Sequence, residues 1–246
     1  MSTVLQGKVA VVTGGGGALG LAATRGLLED GARVAVVDLD ALRLDTLSRF
    51  LRGERIVVAA DVSDPAAVRA AHERIVSELG PVDILVNAAG VSSDDLVAET
   101  ADLSWRRILA ARLDGTFLWS RATLPDMCAR GFGRIVTVGG HRGTPAVRGT
   151  ADAAAAGAIA SLTAALAREG APHGVTVNAL APAFVRSPTA TENLTDAQRR
   201  QALAAIPAGR FGEPEEFAHA VRFLVSPLAG FVTGAVLELD GGLHLG

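Results

Sequence analysis

Four consecutive glycines, Gly14, Gly15, Gly16 and Gly17, break an apolar run and hand over to helix-forming residues within Val9 to Gly20 (VAVVTGGGGALG). Such a strand–turn–helix suits the seating of a pyrophosphate. Glycine reaches positive φ without strain, and the absence of a Cβ lets backbone N–H groups approach a phosphate at the positive end of the helix. Gly15, Gly17 and Gly20 keep the spacing GxGxxG, a weak signal alone. Its required context is present: a strand before it, a helix over Leu19 to Glu29 after it, and Asp38 closing the next strand, Arg33 to Asp38. Dinucleotide binding is the leading reading; a ligand-free glycine loop is the alternative.

The elements that must position this turn are legible in the same way. Apolar runs of strand length at Lys8–Thr13, Arg33–Asp38, Ile56–Ala60, Ile84–Val86, Arg134–Val138, Val175–Leu180 and Ala235–Leu239 alternate with helical stretches. Gly31 stops the first helix, Asp40 caps a helix over Ala41–Leu51, and Ser63-Asp64 with Pro65 start one that runs to Leu79. Leu103 to Met127 reads as a long helix whose Trp105, Ile108, Leu109, Leu113, Phe117 and Leu118 stripe suits core or a subunit interface. Helices over about Asp152–Glu169, Asp196–Ala205 and Pro214–Val225 follow. The Pro-, Thr- and Arg-rich segment 181–214 has the composition of a lid. The expected fold is α/β: a Rossmann-like, doubly wound parallel sheet of about seven strands with helices on both faces, as one domain over residues 1–246.

Composition narrows the partners. A chain of 246 residues, 49% apolar, is large enough for one well-buried core. Its formal charge of −3, without a basic run, argues against nucleic acid and an acidic membrane surface, leaving a small molecule. Cys128 is the lone cysteine, the N-terminus runs directly into the first strand, and no apolar run is long enough to span a bilayer; a cytoplasmic location is expected. The chain contains no tyrosine, and Lys8 is its only lysine.

Thr13-Gly14 with Gly20, Asp38, Asp61-Val62, Asn87 with Ala89-Gly90, Gly133–Val136, Leu166–Glu169, Val175–Asn178, Pro182, Arg210 with Gly212 and Pro214, Thr233-Gly234 and Asp240–Gly242 together resemble the short-chain dehydrogenase/reductase family along essentially the whole chain. The resemblance implies that Gly14 to Gly17 and Leu19 face the pyrophosphate, Asp61 and Val62 the adenine, Asn87 and Gly90 the ribose side, and Val185 with Ser187 the nicotinamide amide. Asp38 favours NAD over NADP, because a carboxylate accepts from both ribose hydroxyls and repels a 2′-phosphate, and no Arg or Lys stands in the glycine turn. Ala18 and Ala183 replace glycines usual in the family. Assembly as a dimer or tetramer, through the two long helices and the C-terminal segment, is also implied.

The positions of the family's catalytic asparagine, serine, tyrosine and lysine hold Arg112, Gly140, Asp152 and Ala156. The spacing from Gly140 to Asp152 is one residue short, but Ala153 to Ala156 are all alanine. Loss of a positioned acid typically forfeits about a hundredfold to ten-thousandfold in rate, so ordinary Tyr/Lys-dependent activity is not expected. Three alternatives follow. The first-ranked is a non-catalytic or partner-dependent subunit that keeps the NAD site, paired with copies of itself or with an active homologue, an Arg112–Asp152 ion pair sealing the pocket. The second is an isomerase, lyase or dehydratase using His141 and Asp152 as acid and base with Arg112 stabilising an anion. The third keeps oxidoreductase chemistry with water or Asp152 as proton carrier, for which Asp152 must be buried. His141 as an exposed loop residue and Asp152 as a helix cap are the plain readings. The sequence has no His or Cys pair at metal-ligand spacing near that pocket.

Overall fold

A computed structural model describes residues 4–140, 149–187, 191–192 and 194–245. Seven strands form one sheet in the order β3-β2-β1-β4-β5-β6-β7, all pairs parallel. They are β1 (Val9–Thr13), β2 (Arg33–Asp38), β3 (Arg55–Ala59), β4 (Ile84–Asn87), β5 (Gly133–Val138), β6 (Val175–Pro182) and β7 (Val236–Leu239). The chain steps outward from β1 to β3, returns to β4 beside β1, and continues the other way. Strand order therefore reverses between β1 and β4, where a crevice must open at the carboxyl ends of the strands.

Alternation along the strands builds two cores. Val9 and Val11 of β1 join Ala35, Val37, Leu85 and Ile135 on one face. There they pack against α3 (Pro65–Leu79) and α5 (Gly115–Arg130), which bring Ile75, Trp119 and Met127. Ala10 and Val12 turn to the other face with Val34, Val36, Ile84, Val86 and Val136, against Leu27 of α1 (Ala18–Glu29) and Phe217 of α8 (Pro214–Val225). Side chains of successive strand residues point to opposite faces, so a strand covered on both sides is apolar throughout.

Several boundaries differ from the sequence expectation for physical reasons. Helix α2 spans Ala41–Ser48 rather than reaching Leu51, whose buried side chain belongs to the core with α1. The long helix is α4 (Asp102–Leu109) and α5 joined by a π turn, Ala110–Asp114. Its apolar stripe is split: Ile108 and Leu118 are buried, whereas Trp105 and Phe117 are 36% and 44% exposed. Helix α6 (Thr150–Gly170) continues into a 3-10 turn, and Thr150–His173 is by length and composition long enough and apolar enough to cross a membrane. That corrects the expectation that no such stretch exists. Here it lies against β6 and α4, and alanine supplies the small contacts that a helix close to a sheet needs. Lys8 lies at the amino end of the sheet, paired with Asp83 at 3.6 Å and stacked on Phe132, far in the topology from the strand carboxyl ends.

Candidate active site

The glycine turn is shaped by what crowds it. Gly14 has φ +65°, and a Cβ there would lie 2.6 Å from the Ala88 carbonyl oxygen; one on Gly20 would lie 2.2 Å from the Gly14 oxygen. Thr13 Oγ1 accepts from the N–H groups of Ala88 and Ala89 at 3.2 and 3.3 Å, tying the ends of β1 and β4 together beneath the crevice. Helix α1 begins at Ala18 after an extended Gly17 with no side-chain cap. The uncapped amides of its first turn face a cleft lined by Gly14, Gly17, Ala18, Leu19 and Gly20. A helix N-terminus with uncapped amides and a backbone stripped of Cβ atoms fits a pyrophosphate. Ala18 is part of this wall.

At the far side of the turn, Asp38 Oδ2 accepts from Gly16 N at 2.9 Å and Oδ1 from Asp40 N at 3.2 Å. The carboxylate is thus aimed across the turn by two backbone amides. Ala60 N donates to the Asp38 carbonyl, which sets Asp61 and Val62 beside it; Asp61 is exposed and accepts from Ser63, and Val62 is buried against Gly115. Asn87 is buried, donates weakly to Thr137 Oγ1 at 3.4 Å, and leaves Oδ1 without a partner among the described residues.

The same cleft, about 410 Å³, continues past Ala88, Ala89 and Gly90 to Arg112, Asp152, Ala156, Val185 and Ser187. Arg112 Nη2 meets Asp152 Oδ1 at 2.9 Å, and Arg112 Nε donates to the Val91 oxygen at 2.9 Å. Ser93 N donates to Asp152 Oδ2 at 2.8 Å. Asp152 is buried in the first turn of α6, where the helix dipole favours its charge. Arg112 projects from the π turn, and its stem lies against Gly90, where a Cβ would be 2.9 Å from Arg112 Cγ. The predicted ion pair forms. It does not seal the cleft, because both side chains are part of its wall.

Some expected positions fall elsewhere. Gly139, not Gly140, lines the cleft; a Cβ on Gly140 would point at Ala179 and Val236, away from it, because both glycines take positive φ. Ala156 lines the cleft one turn after Asp152. His141 lies outside the described residues. Gly15, Gly16 and Asn87 support the crevice without lining this part of it; a Cβ on Gly15 would collide with Val36.

Residues not anticipated include Ser93, which binds Asp152 through its backbone, and Gly149, where a Cβ would strike the Ser93 oxygen at 1.7 Å. A backbone donor leaves no mark on residue type. Phe184 and Leu194, also in the wall, join Ala202, Ile206, Phe211 and Leu243 in a satellite cluster. This cluster holds helix α7 (Asp196–Ala205) at the cleft edge. Arg43 beside Gly16 was missed too, although its place three residues after the cap Asp40 was readable.

A family model described as enoyl-(acyl carrier protein) reductase matches residues 16–244. The 3-oxoacyl-(acyl-carrier-protein) reductase FabG of Vibrio cholerae is 39% identical over 98% of this chain and 99% of its own. The galactitol 2-dehydrogenase (L-tagatose-forming) of Cereibacter sphaeroides is 42% identical over 97% and 95%. The crystal structure of levodione reductase superposes with a TM-score of 0.92 at 27% identity, over 98% of this chain and 99% of that one. These relatives are named for oxidoreductase activities, over nearly their full lengths. They overturn the expectation of a non-catalytic or partner-dependent subunit, and equally that of an isomerase, lyase or dehydratase. The glycine turn, the crevice at the strand-order reversal and these matches agree: the chain belongs to the short-chain dehydrogenase/reductase family, whose members work with a nicotinamide cofactor.

Proposed function

We propose that the protein is a nicotinamide-dependent oxidoreductase that interconverts a carbonyl and a hydroxyl group on a small-molecule substrate. The observation that carries the reading is the Arg112–Asp152 pair on the wall of the same cleft that the glycine turn opens. The names of the relatives point to reduction or oxidation at a carbon–oxygen bond.

When bound, the nicotinamide supplies or accepts the hydride. Each hydride delivered to a carbonyl carbon requires one proton at its oxygen, and the reverse reaction must take that proton away. With no tyrosine in the chain, this task falls to Asp152. Its two oxygens each accept one bond from the protein, and each carboxylate oxygen has a further lone pair to take the proton of a substrate hydroxyl. Solvent then exchanges that proton. Arg112 holds negative charge that develops on the substrate oxygen, a contribution that grows in a partly desolvated site. The Ser93 amide and the Val91 carbonyl fix both side chains, so that little reorganisation is needed.

NAD(H) is the preferred cofactor in this reading. Asp38, held by Gly16 N and Asp40 N, presents a carboxylate where the adenosine ribose hydroxyls would come. The protein self-associates through faces such as that of Leu103, Trp105 and Phe117, exposed on α4 and α5, and works in the cytoplasm.

The test is cofactor consumption by the purified chain with 3-oxoacyl thioesters, polyols and cyclic diketones, in both directions, with NAD(H) and NADP(H). Turnover with at least one class, faster with NAD(H), is expected. Absence of turnover and of NADH binding overturns the reading. Light scattering that finds a monomer at micromolar concentration overturns the assembly.

A further inference from the structure

Two side chains on the wall of the substrate half have no partner in the protein. Ser92 and Asp94 lie on the loop that follows β4, both exposed in the cleft wall. Among the described residues neither the Ser92 hydroxyl nor the Asp94 carboxylate takes part in a hydrogen bond or an ion pair. The residue between them is engaged: Ser93 gives its amide to Asp152 at 2.8 Å, and its hydroxyl oxygen accepts from Asp95 N at 3.1 Å. The same loop is pinned to the start of α6, where Thr150 N donates to the Asp95 oxygen at 3.1 Å and a Cβ on Gly149 would stand 3.4 Å from Asp94 Cα. Asp94 is therefore held beside the proposed base without serving it. A second carboxylate there adds like charge, a local cost that donors on a ligand would offset. On the lid side, Phe184 and Leu194 give the cleft an apolar wall. Arg112, the one cation in that wall among the described residues, is already paired.

We propose that the substrate is a polyhydroxylated carbon chain, a polyol or its ketose, and that Asp94 is the residue that selects it. The inference rests on the proposed oxidoreductase reading and names the substrate class of that site. A carboxylate accepts from two neighbouring hydroxyls at once, and a serine hydroxyl both donates and accepts. The C–H groups of the same chain are apolar and suit Phe184 and Leu194. One CHOH group is oxidised to a ketone: its hydride goes to the oxidised nicotinamide and its hydroxyl proton to Asp152, while the hydroxyls further along the chain stay intact for Asp94 and Ser92. A substrate with a carboxylate in their place meets like charge at Asp94, and a plain alkyl chain leaves that carboxylate without a donor.

Steady-state oxidation by the full chain decides this, with pentitols and hexitols, the 2-alkanols of the same length, and the aldonates that carry a terminal carboxylate. The best polyol is expected to exceed both other classes at least about tenfold in kcat/KM. Asp94→Asn keeps the size of the side chain and removes its charge. It is expected to lower kcat/KM for that polyol by about tenfold or more, mainly through KM. It is also expected to narrow the gap between polyol and aldonate, which loss of a merely structural contact would not do. Asp94→Ser is expected to show the same split, and calorimetric binding of the reduced cofactor within about twofold of wild type shows that each variant is folded. Loss of cofactor binding in both variants makes Asp94 structural and overturns the inference. So does a 2-alkanol or an aldonate used as well as every polyol, turnover confined to 3-oxoacyl thioesters or cyclic diketones, or an unchanged polyol kcat/KM in Asp94→Asn; each of these leaves the oxidoreductase reading standing. A wild-type chain that turns over none of these classes overturns that reading and this inference with it.

Discussion

The two halves of the cleft are built from different materials. The nucleotide half is backbone: glycines 14 to 17 and 20, uncapped amides at the start of α1, and one carboxylate aimed by two N–H groups. The substrate half is a side-chain pair, Arg112 from a π turn and Asp152 from α6, fixed by carbonyl and amide groups of the 91–95 loop. A backbone-built site depends on the absence of atoms and tolerates almost no addition. A side-chain site depends on two groups and their anchors, and changes there alter chemistry before they alter the fold.

The largest test of this contrast is Gly20→Ala. A methyl 2.2 Å from the Gly14 oxygen forces the turn apart, and the expected result is loss of measurable NADH binding with about 1–3 kcal/mol of destabilisation in urea melts. If NADH affinity survives, the turn is less constrained than its contacts imply. Next comes Asp152→Asn, which keeps the shape and removes the charge of the proposed base. Turnover is expected to fall by about a hundredfold to ten-thousandfold, with NADH affinity within about twofold of wild type by fluorescence quenching. A parallel loss of NADH affinity would break the separation between the halves.

A smaller effect concerns the lid side. Burial pushes the Asp240 carboxyl up, but hydrogen bonds from the His244 ring at 2.8 Å and from the amides of Gly242 and His244 outweigh it and hold it below the usual carboxylate range. Gly241 in turn accepts from Ala208 N beneath the lid. A depressed folded value means that the stabilisation is complete above the ordinary Asp value, about pH 4, and fades as pH falls through the lower folded value. Asp240→Asn is expected to cost about 1–3 kcal/mol at pH 7. The gap to wild type should close as the solution is acidified below pH ~4, read from urea midpoints. A gap that persists there would show packing, rather than the charge, to be its cause. The smallest effect is expected for Arg210→Ala. Its pair with Glu216 at 2.7 Å is exposed, and although Arg210 holds the Glu216 carboxyl down at about 2, solvent screening is expected to leave the urea midpoint close to that of wild type.

The difference between the halves also explains what was legible. The limits of β2, α3, α7 and α8 follow the sequence reading residue for residue, and a cap such as Asp64 acts within one turn of the residue that reveals it. The glycine turn and the carboxylate that ends β2 were readable as features because each follows from residue type at a fixed spacing. The inactive role was misjudged on a different ground. The residues at four positions were compared with a pattern, and how Arg112 and Asp152 would stand toward the cleft and toward the Ser93 amide was not visible. The direction a side chain at Gly140 would take, toward Ala179 and Val236, is a property of the backbone that residue type does not carry.

By itself, the sequence determined the layer architecture, the order of strands and helices, the glycine turn and the carboxylate that ends β2, since periodicity, capping and glycine placement are local and additive along the chain. Only the tertiary structure decided that the Ser93 amide joins the Arg112–Asp152 pair, and that this pair lines rather than closes the cleft. Those contacts join positions up to 59 residues apart. Their geometry is set by how helices pack on the sheet, and no residue type announces the direction of a neighbour's backbone.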